Sequence, residues 1–408
     1  MYLRPLNGDG MAAGNHESFT KKSRRARQLE NSMIKFIVVG KSKNVVVAVL
    51  QAIRSFSREK AVVIGDEETT MLRWSALCKQ QVTLSFDGKS DEAFVAAVNN
   101  VLAQAPEAIL IPADCEGIRM VNRMREHLKI DITPIPDLQT LNMFDDKSQF
   151  DQFCRRHALP VPLTRRFQDK HELDYDALAA EFGVPFVLKP INQAGSLGVV
   201  IIRSRAQYEE TVVGEGKYPY SPILAQQYID GADIDISLLA IRGRLSAFAI
   251  QQVDGASIQF LANPQLERIA AKLCEVSGFH GVMHIDARRE RGTGRMFLIE
   301  SNPRFWATLT ASVWCGINFV AESIRETPRP NGPLRLVSGS ASTRHPLMRP
   351  AAWGGLVKDG SEQGRLLRAI AFDLPGIGHL LKELPQRALK RRRPGVPNGA
   401  VPAVRKAK

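Results

Sequence analysis

Asp286, Glu300, Asn302 and Arg304 fall within one stretch, 281–306, where two apolar runs flank a charged turn holding Gly292 and Gly294. That pattern predicts a β-hairpin. Paired about Thr293, Asp286 lies opposite Glu300. Side chains alternate along a strand, so Glu300 and Asn302 share a face, and Asp286 joins them if the register holds. Two carboxylates and a carboxamide make a hard oxygen ligand set suited to Mg²⁺ or Mn²⁺. A dry core does not hold paired carboxylates without a cation. The competing reading is a solvent-facing hairpin with spacing of no consequence. Arg304 follows on the ligand face beyond Pro303, and His284 either faces the same site or serves structure alone.

A second set could hold phosphate. Lys189 ends the apolar run Phe186-Val-Leu-Lys, and Gly195-Ser196-Leu197-Gly198 crosses to a returning run, 199–202. Phosphate needs a cation and exposed backbone N–H groups, and small residues permit close approach. The alternative is a plain hairpin with a surface lysine. Lys147 opens a helix expected to run from Asp145 to about His157. A cation there opposes the helix dipole, a misfit that favours a functional role over a solvated one.

The elements that must position these groups fall into blocks. From Met33 to about 130, strands (33–39, 61–64, 81–85, 108–111) alternate with helices (44–56, one capped by Ser90, and 116–128). Alternation predicts a parallel, doubly wound sheet with ligands at the strands' carboxyl ends. Gly40, Asp66 and Asp114 sit at such ends, as ordinary turn residues or as substrate contacts. The Gly-x-Gly-x-x-Gly fingerprint is absent after the first strand. Strands at 234–240 and 244–251 and a helix at 265–278 complete an α+β unit before the hairpin.

The order of motifs resembles the ATP-grasp superfamily. Ile-Glu-Ser-Asn-Pro-Arg-Phe, 299–305, is similar to its metal signature, with Ser301 in place of the usual Ile or Val. Lys147, followed by a helix and Pro160-Val-Pro-Leu-Thr164, resembles the segment whose lysine contacts nucleotide phosphates. Lys189-Pro190 and the loop through Gly195 and Ser196 match its phosphate flap. Ile223-Leu-Ala-Gln226-Gln227-Tyr228-Ile229-Asp-Gly231-Ala-Asp233 matches its adenine hinge, with Gln226 where Glu is common and Asp233 at the ribose acid. The resemblance covers roughly 135–320. It implies Asp286, Glu300 and Asn302 as metal ligands, Arg304 and Lys189 as catalytic residues, and Lys147, Lys189, Gly195, Ser196, Gln226, Gln227, Tyr228, Ile229 and Asp233 as nucleotide contacts. Residues 305–319 resemble the segment lining the acceptor site, and a core helix is the alternative.

The fold class it implies is an N-terminal α/β domain followed by an α+β ATP-grasp domain. The expected division is a basic head (1–32), the α/β domain (33–134), the ATP-grasp domain (135–325), an appendage (326–385) and a basic tail (386–408). The implied function is a ligase that uses Mg-ATP to activate a carboxylate as an acyl phosphate and couples it to an amine or similar nucleophile, akin to carboxylate–amine/thiol ligases or a carbamoyl-phosphate-synthase-like ATP-binding domain. One rival activates bicarbonate. The other is a nucleic-acid-binding protein working through basic tails.

Charge argues against the second rival. The net +13 divides into +3 over 1–32 and +8 over 386–408, leaving +2 for the body. Such tails are expected to be disordered. Translation from Met33 is one reading of the head. Leu366–Leu384 reads as a docked helical appendage, and with Arg391–Arg393 contact with an anionic membrane surface is the alternative. Five scattered cysteines without Cys-x-x-Cys spacing, and no apolar signal region, point to a cytoplasmic protein with reduced thiols. Small-molecule substrates are the expected partners, with a homodimer left open.

Overall fold

The computed structural model describes residues 36–191, 193, 197–325, 332–358, 360–378 and 380–381. The basic head and tail, Gly195 and Ser196 lie outside the described residues.

Five strands form the first sheet: β1 (Phe36–Val39), β2 (Ala61–Gly65), β3 (Cys78–Thr83), β4 (Ile109–Pro112) and β5 (Asp131–Ile132). All pairs are parallel, in the order β3-β2-β1-β4-β5. Every residue of β1 is buried, because helices cover both faces. Phe36 and Val38 pack with Val45, Val49 and Ile53 of the Lys43–Phe56 helix, while Ile37 and Val39 pack with Phe94, Val98 and Ile118 on the other side. β3 starts three residues earlier than the apolar run suggested. Its sequence is Cys-Lys-Gln-Gln-Val-Thr, an edge strand whose extent is set by pairing to β2 rather than by hydrophobicity. The helix expected over 116–128 is Cys115–Met124, tightening into a 3₁₀ turn at Arg125–His127.

The second sheet is antiparallel, in the order β6-β9-β7-β8: β6 (Thr164–Phe167), β7 (Phe186–Pro190), β8 (Val200–Ile202) and β9 (Ile223–Gln227). The third runs β10-β14-β11-β12-β13-β17. It comprises β10 (Gly231–Asp233), β11 (Asp235–Ile241), β12 (Arg244–Asp254), β13 (Ser257–Phe260), β14 (Gly281–Glu290) and β17 (Ser340–Ser342), with β15 (Met296–Asn302) paired to β14 and β16 (Leu334–Leu336) to β12.

Period-two alternation on β11 sorts the packing. Ile236, Leu238 and Ala240 meet Phe144, Phe150 and Leu273 from three helices, and Leu239 and Ile241 face the core shared with β1 and the Lys43–Phe56 helix. That shared core joins the parallel sheet to the antiparallel one.

The helix expected from 145 to about 157 is Lys147–Arg156, and a second helix, Leu138–Asp145, precedes it. Asp146 breaks them: it is extended, and its carboxylate accepts from the N–H groups of Ser148 and Gln149, both at 2.8 Å. A side chain that satisfies two orphan donors fixes a new helix start. Ser90 does precede the Asp91–Leu102 helix, but its hydroxyl makes no capping bond.

The appendage docks. Leu366 and Leu367 of the Glu362–Phe372 helix are buried, Arg365 Nε donates to Ser55 O at 2.6 Å, and Asp373 accepts from Ser75 Oγ and the Ala76 N–H. Leu366, Leu367, Ala369 and Ala371 are spent on the fold, which argues against the membrane-surface reading for this helix, although Phe372 is exposed. Among the described residues no helix is long and apolar enough to cross a membrane.

Candidate functional site

The hairpin forms as expected, with one refinement. Near the turn, Arg289 pairs with Met296 and Ala287 with Leu298; after an irregularity, Asp286 pairs with Glu300 and His284 with Asn302. A bulge at Ile299 therefore supplies the register that pairing about Thr293 assumed. The bulge also turns a carbonyl to use: Lys189 Nζ donates to Ile299 O at 3.3 Å. Ser301 lies on the opposite face, buried, its hydroxyl bonded to Phe144 O.

Glu300 is the meeting point. Lys147 Nζ stands 3.6 Å from its carboxylate. Burial raises the Glu300 pKa, Lys147 and Lys189 oppose that rise, and Asp286 adds to it. Neither lysine is a surface group: Lys189 is 3% exposed and Lys147 9%. Burial drives Lys189 down to about 8, against the pull of Glu300. Lys147 also donates to Ile191 O and, at 2.7 Å, to Gln193 O, tying the stem of the 190–198 loop to the hairpin. Gly198, at the far stem, has φ +77°, and a Cβ there would meet Tyr220 and Pro190 at 2.6 Å, so only glycine fits.

Asp286, His284 and Asp235 form a compact group, with ligand atoms within 4.8 Å of one another. His284 bonds Ser237 Oγ at 2.9 Å and Asp286 at 3.1 Å, and stacks on Trp306. Burial opposes its protonation, but the hydrogen bond and charge of Asp286 outweigh it and raise its pKa. Burial pushes Asp235 up to about 7, with His284 restraining it. Arg304 donates to Asn302 Oδ1 at 2.8 Å and to Phe305 O. Asp286 stands opposite Glu300 with Asn302 two residues on, while the ligand atoms shown close together are those of Asp235, His284 and Asp286; Glu300 and Asp235, two partly buried carboxylates of raised pKa, would be stabilised by a divalent cation. The donor set fits Mg²⁺.

The hinge is gathered by a residue the sequence reading did not single out, Arg288. It donates to Ile229 O (2.6 Å), Gly231 O (3.0 Å), Tyr228 Oη (3.3 Å) and Asp233 Oδ1 (2.7 Å). Asp233, the expected ribose acid, is exposed and held in that ion pair. His284, Asp286 and Arg288 alternate along β14, so one strand face links the metal ligands to the hinge. Gly231 is required there, since a Cβ would meet Arg289 O at 1.9 Å. Gln226 is buried; its Nε2 donates to Thr164 Oγ1 at 2.8 Å, leaving Oε1 as the acceptor. Gln227 is exposed, its backbone N–H bonded to Leu163 O.

A cleft of ≈ 580 Å³ opens beside Glu300, Asn302, Arg304 and Lys147, and its other wall holds Lys41, Ser42, Glu68, Asp114 and Arg119 from the ends of the parallel strands. Asp114 accepts from Ser42 N (2.6 Å) and Gly117 N (2.9 Å), so it stitches two loops together as well as lining the cleft. Asp66 caps the 3₁₀ helix Glu67–Trp74 and pairs with Lys41. Gly40 is buried at the end of β1, outside the cleft lining.

Residues 220–332 match the family model described as "ATP-grasp in the biosynthetic pathway with Ter operon". The chain is 27% identical over 183 residues to the arginine-specific carbamoyl phosphate synthase large chain of Bacillus subtilis, covering 41% of this chain and 17% of that one. It is 26% identical over 174 residues to a D-alanine–D-alanine ligase of Chromohalobacter salexigens, covering 38% and 54%. It therefore spans about half, or far less, of these relatives. In fold it is similar to L-amino acid ligase from Bacillus licheniformis (TM-score 0.54, 16% identity, 73% and 77% covered). It is equally similar to N5-carboxyaminoimidazole synthetase from Staphylococcus aureus (0.54, 12%, 76% and 80%). Motif order, paired lysines and metal hairpin agree with the ATP-grasp family model that residues 220–332 match and with the likeness to D-alanine–D-alanine ligase.

Proposed function

We propose that this chain is an ADP-forming ligase. A carboxylate oxygen of the substrate attacks the γ-phosphorus of ATP, ADP leaves, and the resulting acyl phosphate is displaced at carbon by an amine or similar nucleophile, releasing phosphate. The observation that carries this is Glu300, a largely buried carboxylate set opposite Asp286 and approached by two buried lysines. Asp286, Glu300 and Asn302 would hold one or two Mg²⁺ (or Mn²⁺), which when bound neutralise charge on the transferring phosphoryl group. Lys147 and Lys189 bind phosphate oxygens, and the 190–198 loop, through Gly195 and Ser196, adds backbone donors. Gln226 Oε1, Gln227, Tyr228 and Ile229 read the adenine, and Asp233, once released by Arg288, takes the ribose. Arg304, at the cleft wall, orients the substrate carboxylate. Residues 33–134 supply the substrate wall, 135–325 the nucleotide unit and 326–385 the appendage. All five cysteines are free, which supports work in the cytoplasm.

Glu300→Gln keeps size and loses charge. It should lower kcat by about 100-fold or more and leave the Mg-ATP Kd within about threefold, because the developing charge belongs to the transition state. Full activity in this variant would contradict the reading. Turnover that depends on bicarbonate alone would replace the organic acid with bicarbonate.

A further inference from the structure

A second void of ≈ 510 Å³ lies within the size range of small-molecule sites. One side comes from the first turns of the Lys43–Phe56 helix and from the Leu309–Trp314 helix, and the other from the appendage, between Ala341 and Gly378. Val47, Ala48, Ala311, Trp314, Leu366 and Ile370 make its floor apolar. Among the described residues, no Asp or Glu lines it, while Lys43, Arg344 and Arg349 do. The neighbouring cleft has the opposite character, with Glu68, Asp114, Glu116, Asp145, Asp146 and Glu300 on its walls. Gln51 is 7% exposed, lines the void, and its carboxamide has no hydrogen-bond partner among the described residues. The carboxamide thus faces the void, where it offers one donor group and one acceptor to an occupant.

The two voids are lined by neighbouring stretches of the chain. Lys41 and Ser42 line the cleft and Lys43 and Asn44 the void; Arg304 lines the cleft and Ala307 the void. We infer that the void seats the acid substrate of the ligase, a small amphipathic carboxylic acid. Its alkyl or aryl body lies on the apolar floor, a hydrogen-bonding substituent meets Gln51, and its carboxylate sits at the Lys43–Arg304 boundary, in reach of the phosphoryl centre. The inference deepens the ligase reading and rests on it for the word substrate.

The test uses the full chain and calorimetric titration without nucleotide, with octanoate and octylamine as probes of equal length and opposite charge. Octanoate should bind at least about tenfold more tightly than octylamine. Ala307 is exposed and tolerates a larger side chain, so Ala307→Trp fills the void's mouth without threatening the core. It should weaken octanoate about tenfold or more while the Mg-ATP Kd stays unchanged. In turnover assays the same variant should raise the octanoate KM and spare kcat. Equal binding of the two probes, no octanoate binding at about 10 mM, or unaltered octanoate affinity in Ala307→Trp would overturn the site. Octanoate binding without any Mg-ATP binding would sink the ligase reading and the substrate role, and leave the void as a binding site.

Discussion

Lys189 meets two opposed demands. Its place 3.3 Å from the Ile299 carbonyl and near Glu300 suits it to neutralise phosphate, yet burial lowers its pKa from 10.5 to about 8. The unfolded chain keeps that proton up to 10.5 and the folded chain gives it up near 8. Between these values the unfolded state binds more protons, so this group makes stability rise with pH, and its burial cost is fully present below 8. Lys189→Met should remove that rise, seen as the difference between urea midpoints of variant and wild type from pH 7 to 10.5, and should weaken Mg-ATP binding. Parallel pH curves for the two proteins would refute the burial cost. Lys189, Glu300, Asn302 and Arg304 stood out as candidates because they follow apolar runs, and Lys147 because it is a cation at a helix start. It did not single out Asp235 or Arg288. Asp230, Asp233 and Asp235 crowd one segment, and local spacing cannot say which turns inward; Arg288 sits among charges that read as a turn flank.

The hairpin and hinge act as one element through β14. Pairing about Thr293 was readable from apolar symmetry, but the bulge that realises it was not. Its cause is tertiary: it frees the Ile299 carbonyl, which accepts from Lys189 on a different sheet. Arg288 extends the same strand face to four hinge groups. Adenine contacts do not change during phosphoryl transfer, so Arg288→Ala should raise the ATP KM about tenfold and leave kcat nearly unchanged. Steady-state kinetics checks this; a kcat loss matching that of Glu300→Gln would show that Arg288 serves the chemistry itself. The helix start near Asp146 was readable, but the Leu138–Asp145 helix before it was not, since eight residues give little periodicity.

At the scale of the molecule, one core spans the parallel sheet, the antiparallel sheet and the Glu362–Phe372 helix. The doubly wound sheet was legible because alternating strands and helices admit few topologies. A docked helical appendage was legible in its apolar content, but where it docks was not, because the anchor is Asp373, a single carboxylate that no apolar pattern marks. That carboxylate accepts from Ser75 Oγ at 2.8 Å and Ala76 N at 2.8 Å. Asp373→Ala leaves those donors unpaired and should cost about 1–3 kcal/mol of stability by chemical denaturation; an unchanged midpoint would mean that the appendage is not anchored there. The central claim, that this assembly makes an acyl phosphate, is tested most directly by ³¹P NMR of a turnover mixture holding Mg-ATP, a pool of carboxylates and a pool of amines. ADP and inorganic phosphate are the expected phosphorus products, with their formation suppressed in Glu300→Gln. AMP and pyrophosphate would contradict the claim, because they mark adenylation rather than phosphorylation of the acid.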